Sequence, residues 1–317
     1  MTLRQRWQYS LKLASWPKLF VPMLLGGALG VHAEARHGTL EPARATVIAL
    51  ALALLALCNV ATIVWLNDYA DQRVDALKRT LLPQAGSPKT IFDGLLSARA
   101  LLIAGVAAAS LTVALAAWLT WWTSRTLPLA GATLGLAVFA AYSLPPLRLN
   151  YRGGGELLEG FGVGVLYPLI GYWAHAGRSW DPELWLVLAL APLALASAVA
   201  SGLSDEESDR AGGKRTVVTW LGNSRARLIV GWMMLASVLS LPCAALLLRG
   251  VPVWVALAPV VVLVLMGSRV RRLSPLATTG AFAEQARYKQ ALHHAIWLAS
   301  LTLSLGLVSR VVSIVRA

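Results

Sequence analysis

Between Ala45 and Leu66 the chain runs for twenty-two residues without one charged side chain. About 20 apolar residues rising 1.5 Å each cross the ~30 Å hydrocarbon core of a bilayer, so this stretch reads as a membrane-spanning helix. The pattern recurs along the chain, with further apolar runs at about 16–33, 98–120, 126–145, 156–175, 184–203, 226–248, 251–268 and 291–313. Only 14% of the residues are charged, against about 25% in a soluble domain. A soluble globular fold is excluded. The expected architecture is an all-α polytopic membrane protein, a bundle of about nine transmembrane helices. Long polar loops follow the second and sixth runs, at about 67–99 and 204–225. That spacing predicts a four-helix unit used twice, with a ninth helix appended, and residues 1–317 as a single domain.

The net charge of +13 could suit nucleic acid, but its placement argues for topology. With nine spans, 21 of the 28 Lys and Arg residues fall in the amino-terminal segment and the loops after even-numbered spans. The other side holds only Arg36, Arg44, Arg125, Arg178, Arg249, Arg310 and Arg316. The positive-inside rule then predicts a cytoplasmic amino terminus, cytoplasmic acidic loops and an external carboxyl terminus in a cell inner membrane. No nucleic-acid partner and no obligatory protein partner is expected. Cys58 and Cys243, the two cysteines, lie inside apolar runs and argue against a disulfide framework or a Cys-based zinc site. "VHA" at Ala33 mimics a signal-peptidase site. Cleavage there would discard the basic residues that set orientation, so the segment is expected to remain.

Seven of the fifteen acidic residues occupy two short stretches, "NDYADQRVDALKRT" from Asn67 and "SDEESDRAGGKRT" from Ser204. In a helix Asn67, Asp71 and Asp75 share one face, with Asp68 three before Asp71, and Asp205 and Asp209 lie one turn apart. Stacked carboxylates repel unless a cation sits among them. Few hard oxygen ligands with room for water suit Mg²⁺ bound jointly by protein and phosphate. The candidate metal and catalytic residues are therefore Asp68, Asp71, Asp75, Asp205 and Asp209. Interleaved basic residues, Arg73, Lys78, Arg79, Lys214 and Arg215, would neutralise a diphosphate. Glu206 is expected to point about 100° from Asp205, and Glu207 into solvent. Ordinary charged loops would explain one such stretch, but the pattern continues an apolar span directly and recurs in the second half. His293 and His294 have no second ligand cluster nearby and read as interfacial packing, and tryptophans near span ends read as membrane anchors.

Asn67-Asp68-x-x-Asp71-x-x-x-Asp75 resembles the first signature of the UbiA superfamily of intramembrane aromatic prenyltransferases. Asp205-x-x-x-Asp209 with "GGKRT" resembles the second. The resemblance covers the whole chain and implies nine helices with both motifs on the cytoplasmic side. It also implies that Mg²⁺ on the aspartates, with Asn67 as a further ligand, binds a polyprenyl diphosphate, whose allylic C–O bond ionises and whose cation alkylates an aromatic acceptor. Lys214 matches the basic residue after the second signature, and Lys18 in "SWPKLF" resembles one near the start of the first helix. "YRGGGE", Tyr151 to Glu156, and "DRAGGKRT" resemble the menaquinone-pathway branch acting on 1,4-dihydroxy-2-naphthoate. The spacing in "DQRVDALKRT" is instead that of the 4-hydroxybenzoate, haem and chlorophyll branches, which leaves the acceptor open between them. Arg152 and Glu156 are candidates for the acceptor site or for anchoring a helix start. Tyr142 is a candidate to stack on the acceptor or shield the cation.

Two rival functions fit the residues less well. A cation-coupled transporter would carry its acids near the midplane in broken helices, whereas these lie at span ends among basic residues. A CDP-alcohol transferase would need a DG-x-x-AR segment, which is absent.

Overall fold

The computed structural model describes residues 1–81, 88–248 and 251–316. Within them every apolar run is helical. A short amphipathic helix, α1 (Leu3–Ser10), leads through a 60° bend into α2 (Pro17–Arg36). Then come α3 (Pro42–Ala70), α4 (Gln72–Leu81), α5 (Ala98–Thr123), α6 (Leu127–Ser143), α7 (Leu149–Arg152), α8 (Gly155–Phe161) and α9 (Tyr167–Ala176). The second half holds α10 (Trp185–Leu203), α11 (Glu206–Ala211), α12 (Val217–Leu221), α13 (Asn223–Leu247), α14 (Val253–Leu273) and α15 (Phe282–Arg316). Among the described residues seven helical segments are long and apolar enough to cross a membrane, and the bent α1/α2 pair makes eight. Helix α6, at 17 residues, is the ninth apolar run. The protein is an integral, multi-pass membrane protein.

Proline and polar caps set the helix starts. Pro17 and Pro42 occupy first-turn positions, where no amide donor is needed, and the Ser97 hydroxyl caps α5. Within the apolar eighteen-residue stretch of each span, 67% is buried in Pro182–Leu203 but only 28% in α5 and in the α14 segment, which places α10 at the centre. Exposed Trp121, Leu246, Leu265 and Leu305 form the lipid-facing surface. Helices α2 and α9 meet through glycine. A Cβ at Gly26 would lie 1.8 Å from the Pro168 carbonyl oxygen, so only hydrogen fits at this crossing.

The fifth apolar run is interrupted. Tyr167 donates its amide to the Gly162 carbonyl five residues back, so Gly162–Leu166 forms a π turn between α8 and α9. Pro168 next to it has no amide hydrogen, and the wider turn absorbs the missing donor. Three sequence boundaries shift. Asn67 and Asp68 belong to the last turn of α3, not to a loop, because the helical ladder continues from Asp71 N–H to Asn67 O at 2.9 Å. The predicted loop at 204–225 is largely helical, holding α11 and α12, and α13 begins at Asn223. Helix α15 starts at Phe282, nine residues before its predicted span at 291, because Gln285 and Tyr288 pack inward.

Candidate active site

Both acidic motifs lie at one end of the bundle, where α4 packs on α11. The contact is close: a Cβ at Gly212 would lie 2.5 Å from Val74 Cγ2. Asp71 sits at the break between α3 and α4, and Asp205 occupies the N-cap position of α11. Asp71, Asp75, Asp205 and Asp209 thereby line one polar cavity of about 320 Å³. Asp68 is set back from it, 2% exposed, in a side cleft shared with Asp75.

Four lysines enter the same cavity, and each is paired with a carboxylate. Lys12 pairs with Asp68, Lys78 with Asp205 and Lys89 with Asp75. Lys214 reaches Asp71 at 2.8 Å and Asp209 at 3.9 Å, bridging the two motifs. Tyr151 donates its hydroxyl to Asp71 Oδ1 at 2.9 Å. Asn67 Oδ1 accepts from Ser143 at 2.9 Å, and its amide nitrogen lies 3.5 Å from Asp71 Oδ2.

The charges are not evenly balanced. Burial and the neighbouring Asp205 push Asp209 up to about 7, against the pull of Lys214. Burial also raises Asp75, partly offset by Lys89. Burial opposes ionisation of Asp205 as well, but Lys78 and Lys289 outweigh it and hold Asp205 below the usual carboxylate range. Asp68 Oδ2 is buried with no hydrogen-bond partner among the described residues. This end of the bundle has carboxylate oxygen to spare.

An apolar cavity of about 280 Å³ adjoins the polar one, walled by side chains such as Val60, Ile63, Phe139, Leu158 and Val163. Lys12, Ser15, Asn67, Tyr142 and Glu159 line both and form the neck between them. Lys18 lies on the apolar side, paired with Glu159.

Several sequence candidates lie elsewhere. Arg73 is exposed, because it lies about 200° around the helix from Asp75. Arg79 grips Asp93 through two bonds of 3.0 and 2.8 Å, and Tyr9 donates to the same carboxylate at 2.6 Å, so it fastens α4 to α1. Arg152 and Arg215 line a neighbouring cleft of about 810 Å³ that meets the polar cavity at Glu156, Lys214 and Thr216; Gly153 and Gly154, at φ 97° and 92°, turn the chain between Arg152 and α8. Glu156 does line the polar cavity, but it accepts the Val217 amide at 2.6 Å and so anchors the start of α12. Glu206 turns from Asp205 to Thr279 at 2.9 Å and Arg210 at 3.1 Å. Glu207 is half-buried. His293 contacts Ser197 at 2.9 Å and packs on Trp297. Sequence reasoning missed Lys12, Lys89 and Glu159. Lys12 reaches the cavity only through the bend before Trp16, and Lys89 returns after the stretch 82–87, which lies outside the described residues.

The sequence profile of the UbiA prenyltransferase family matches residues 19–292. The chain belongs to that family. A 1,4-dihydroxy-2-naphthoate octaprenyltransferase from Bacillus subtilis (strain 168) is 27% identical over 139 residues, 44% of this chain and 41% of that protein. The alignment thus spans less than half of the curated relative. A UbiA homolog from Archaeoglobus fulgidus, solved bound to DMAPP and Mg²⁺, has a TM-score of 0.65 at 14% identity, covering 97% of this chain and 99% of that one. The apo structure of a UbiA homolog from Aeropyrum pernix K1 has a TM-score of 0.64 at 19% identity, covering 92% and 97%. At these identities the structures share the UbiA fold.

Proposed function

We propose that this chain is a Mg²⁺-dependent polyprenyltransferase of quinone biosynthesis. It moves the polyprenyl group of an allylic diphosphate onto an aromatic acceptor, 1,4-dihydroxy-2-naphthoate in the menaquinone pathway. Residues 1–317 act as one domain in a cell inner membrane, with the amino terminus and both acidic motifs cytoplasmic and the carboxyl terminus outside. One observation carries the reading: a cavity lined by lysines and aspartates joins an apolar cavity through a shared neck. A ligand with a multiply charged head and a hydrocarbon tail matches that shape.

The residues fit Mg²⁺. No three carboxylate or imidazole groups form a ready cage among the described residues. Mg²⁺ needs only one or two carboxylates when phosphate oxygens and water complete its shell. The unpartnered Asp68 oxygen and Asp209, which Lys214 reaches only at 3.9 Å, supply hard donors of that kind. Asp68, Asp71, Asp75, Asp205, Asp209 and Asn67 would hold it. When bound there, Mg²⁺ supplies positive charge against the departing pyrophosphate.

The chain's own groups do the rest. Lys12, Lys78, Lys89 and Lys214 exchange their carboxylate partners for diphosphate oxygens and stabilise the charge that develops on the leaving group. The apolar walls hold the prenyl chain and exclude water from a reactive cation. Tyr142 at the neck presents an aromatic ring to that cation, and Lys18, while paired with Glu159, would also attract an acidic acceptor. The naphthoate is supported by the "YRGGGE" segment and by the Bacillus subtilis relative. 4-Hydroxybenzoate is the second reading, favoured by the spacing of Asp71, Asp75 and Lys78.

The test is prenyl transfer by purified protein in lipid nanodiscs, with labelled polyprenyl diphosphates and both acceptors, and identification of the lipid product by mass. Prenylated naphthoate that disappears with EDTA and returns with Mg²⁺ is expected. No product with any aromatic acceptor, or full turnover in EDTA, would overturn the reading.

A further inference from the structure

Among the described residues Glu159 is the only acid on the wall of the apolar cavity, and it also lines the polar one. The aspartates lie on the headgroup side or behind it. Its position on α8 is one turn beyond Glu156, but the two carboxylates have different duties. Glu156 is committed to the Val217 amide at 2.6 Å. Glu159 bonds only side chains: Oε1 accepts from Lys18, and Tyr142 Oη lies 3.5 Å from Oε2. Lys289 of α15 acts on it electrostatically from across the bundle.

A diphosphate among the lysines, with its tail between Val60 and Phe139, would put its first carbon at the neck. That is where an aromatic acceptor must attack, and a phenolic ring attacks well only as its hydroxyl gives up a proton. We propose that Glu159 is the catalytic base of the transfer, receiving the proton of the acceptor hydroxyl. This rests on the prenyltransferase reading above. The prenyl C–O bond breaks with its electron pair leaving on pyrophosphate. The acceptor O–H bond breaks with its proton going to Glu159, and the released pair drives a ring carbon onto the prenyl carbon. Glu159 returns the proton to the resulting carbonyl oxygen as the alkylated carbon sheds H⁺ to solvent or its carboxylate as CO₂. Lys18 keeps the carboxylate aimed at the neck, and Tyr142 limits its rotation.

The experiment is Glu159→Gln in the full-length protein, with Glu159→Asp alongside, in nanodiscs with Mg²⁺. Labelled diphosphate should bind both variants as it binds the parent. Transfer by Glu159→Gln should fall about 10²-fold or more, the usual loss of a general base, with partial recovery in Glu159→Asp. Two readouts separate a base from a merely structural carboxylate. The Glu159→Gln deficit should shrink as pH approaches the acceptor's own hydroxyl pKa, and it should shrink for fluorinated acceptors with more acidic hydroxyls. Transfer within threefold of the parent would overturn the proposal, as would a deficit indifferent to pH and acceptor acidity. If the parent protein binds diphosphate but prenylates no acceptor, the underlying reading fails and takes the proposal with it.

Discussion

Lys214 joins the two motifs, and its replacement by Met should expose how the site is held together. The ammonium lies between Asp71 and Asp209, with side-chain exposures of 11% for Lys214, 7% for Asp71 and 8% for Asp209. These are interior values. Removing one partner of a buried pair costs about 3–5 kcal/mol, against about 0–1 kcal/mol at a surface. Tyr151 and Asn67 still contact Asp71, so we expect the low end, about 3 kcal/mol. At about 2.1 cal/mol/K of unfolding entropy per residue, that corresponds to roughly 4–5 °C in melting temperature. The double variant Asp71→Asn/Lys214→Met should recover at least half of the loss, because the stranded charge is gone.

The same variant has a pH signature. Asp209 in the folded protein is raised to about 7, whereas an unperturbed aspartate titrates near 3.9. Between those values the folded state holds a proton that the unfolded chain has released, so stability falls as pH rises through that window. Without Lys214 the window extends further upward. The Lys214→Met deficit should therefore be larger at pH 8 than at pH 6, and should shrink when Mg²⁺ and pyrophosphate are added. Thermal unfolding in detergent with EDTA, followed by circular dichroism, is the assay. A variant as stable as the parent at both pH values would refute the bridging role.

Further outcomes follow from where the structure sets individual residues. Arg73→Gln, on the exposed side of α4, should transfer prenyl groups at nearly the parent rate, while Lys89→Gln should lose about 10²-fold; equal rates would remove Lys89 from the site. Gly171→Leu would put a Cβ 2.5 Å from the Met23 carbonyl oxygen and should abolish monodisperse protein in size-exclusion chromatography. Gly231→Leu, with nothing within 4 Å, should behave as the parent. In a background without Cys58 and Cys243, Ala211→Cys should react with an impermeant thiol reagent only from the cytoplasm and Arg178→Cys only from outside; reversed labelling would invert the topology.

The fold was legible because hydrocarbon tolerates so few alternatives. A run such as Ala45–Leu66 has to bury its own backbone hydrogen bonds in a helix, and α3 does so over Pro42–Ala70. The aspartates were legible for the same reason in reverse, since clustered acids beside an apolar span need a compensating charge. What resisted prediction were contacts closing across distant parts of the chain. Lys12 lies 56 residues from Asp68 and enters through a bend, where its own φ is 47°. Arg79 looked equivalent to Lys78 in sequence, yet one step of about 100° around α4 separates Asp205 from Asp93 as their partners.

The pairing of nearly every site aspartate with a lysine bears on how such a site can exist without its ligand. Carboxylates gathered to receive a cation would repel one another in the resting protein, and burial would make that repulsion strong. Lysines spread among them remove most of the repulsion while staying mobile on flexible stems. Where the lysine supply falls short, at Asp209, the structure resorts to holding a proton near neutral pH. A metal–diphosphate unit would bring both signs of charge, so lysine and aspartate could each change partners without leaving a bare charge in the interior. Swapping Lys78 and Asp205 for one another tests this. Lys78→Asp/Asp205→Lys preserves the resting pair but sets the transplanted ammonium against Lys289 and Lys89, which also pull on Asp205, so the double variant should melt below the parent and above either single change. It would also aim the wrong charge from each motif at head and metal, and its transfer should stay at least 10²-fold down. A double variant that is folded and active would show that only the local pair matters, and not which motif supplies which charge.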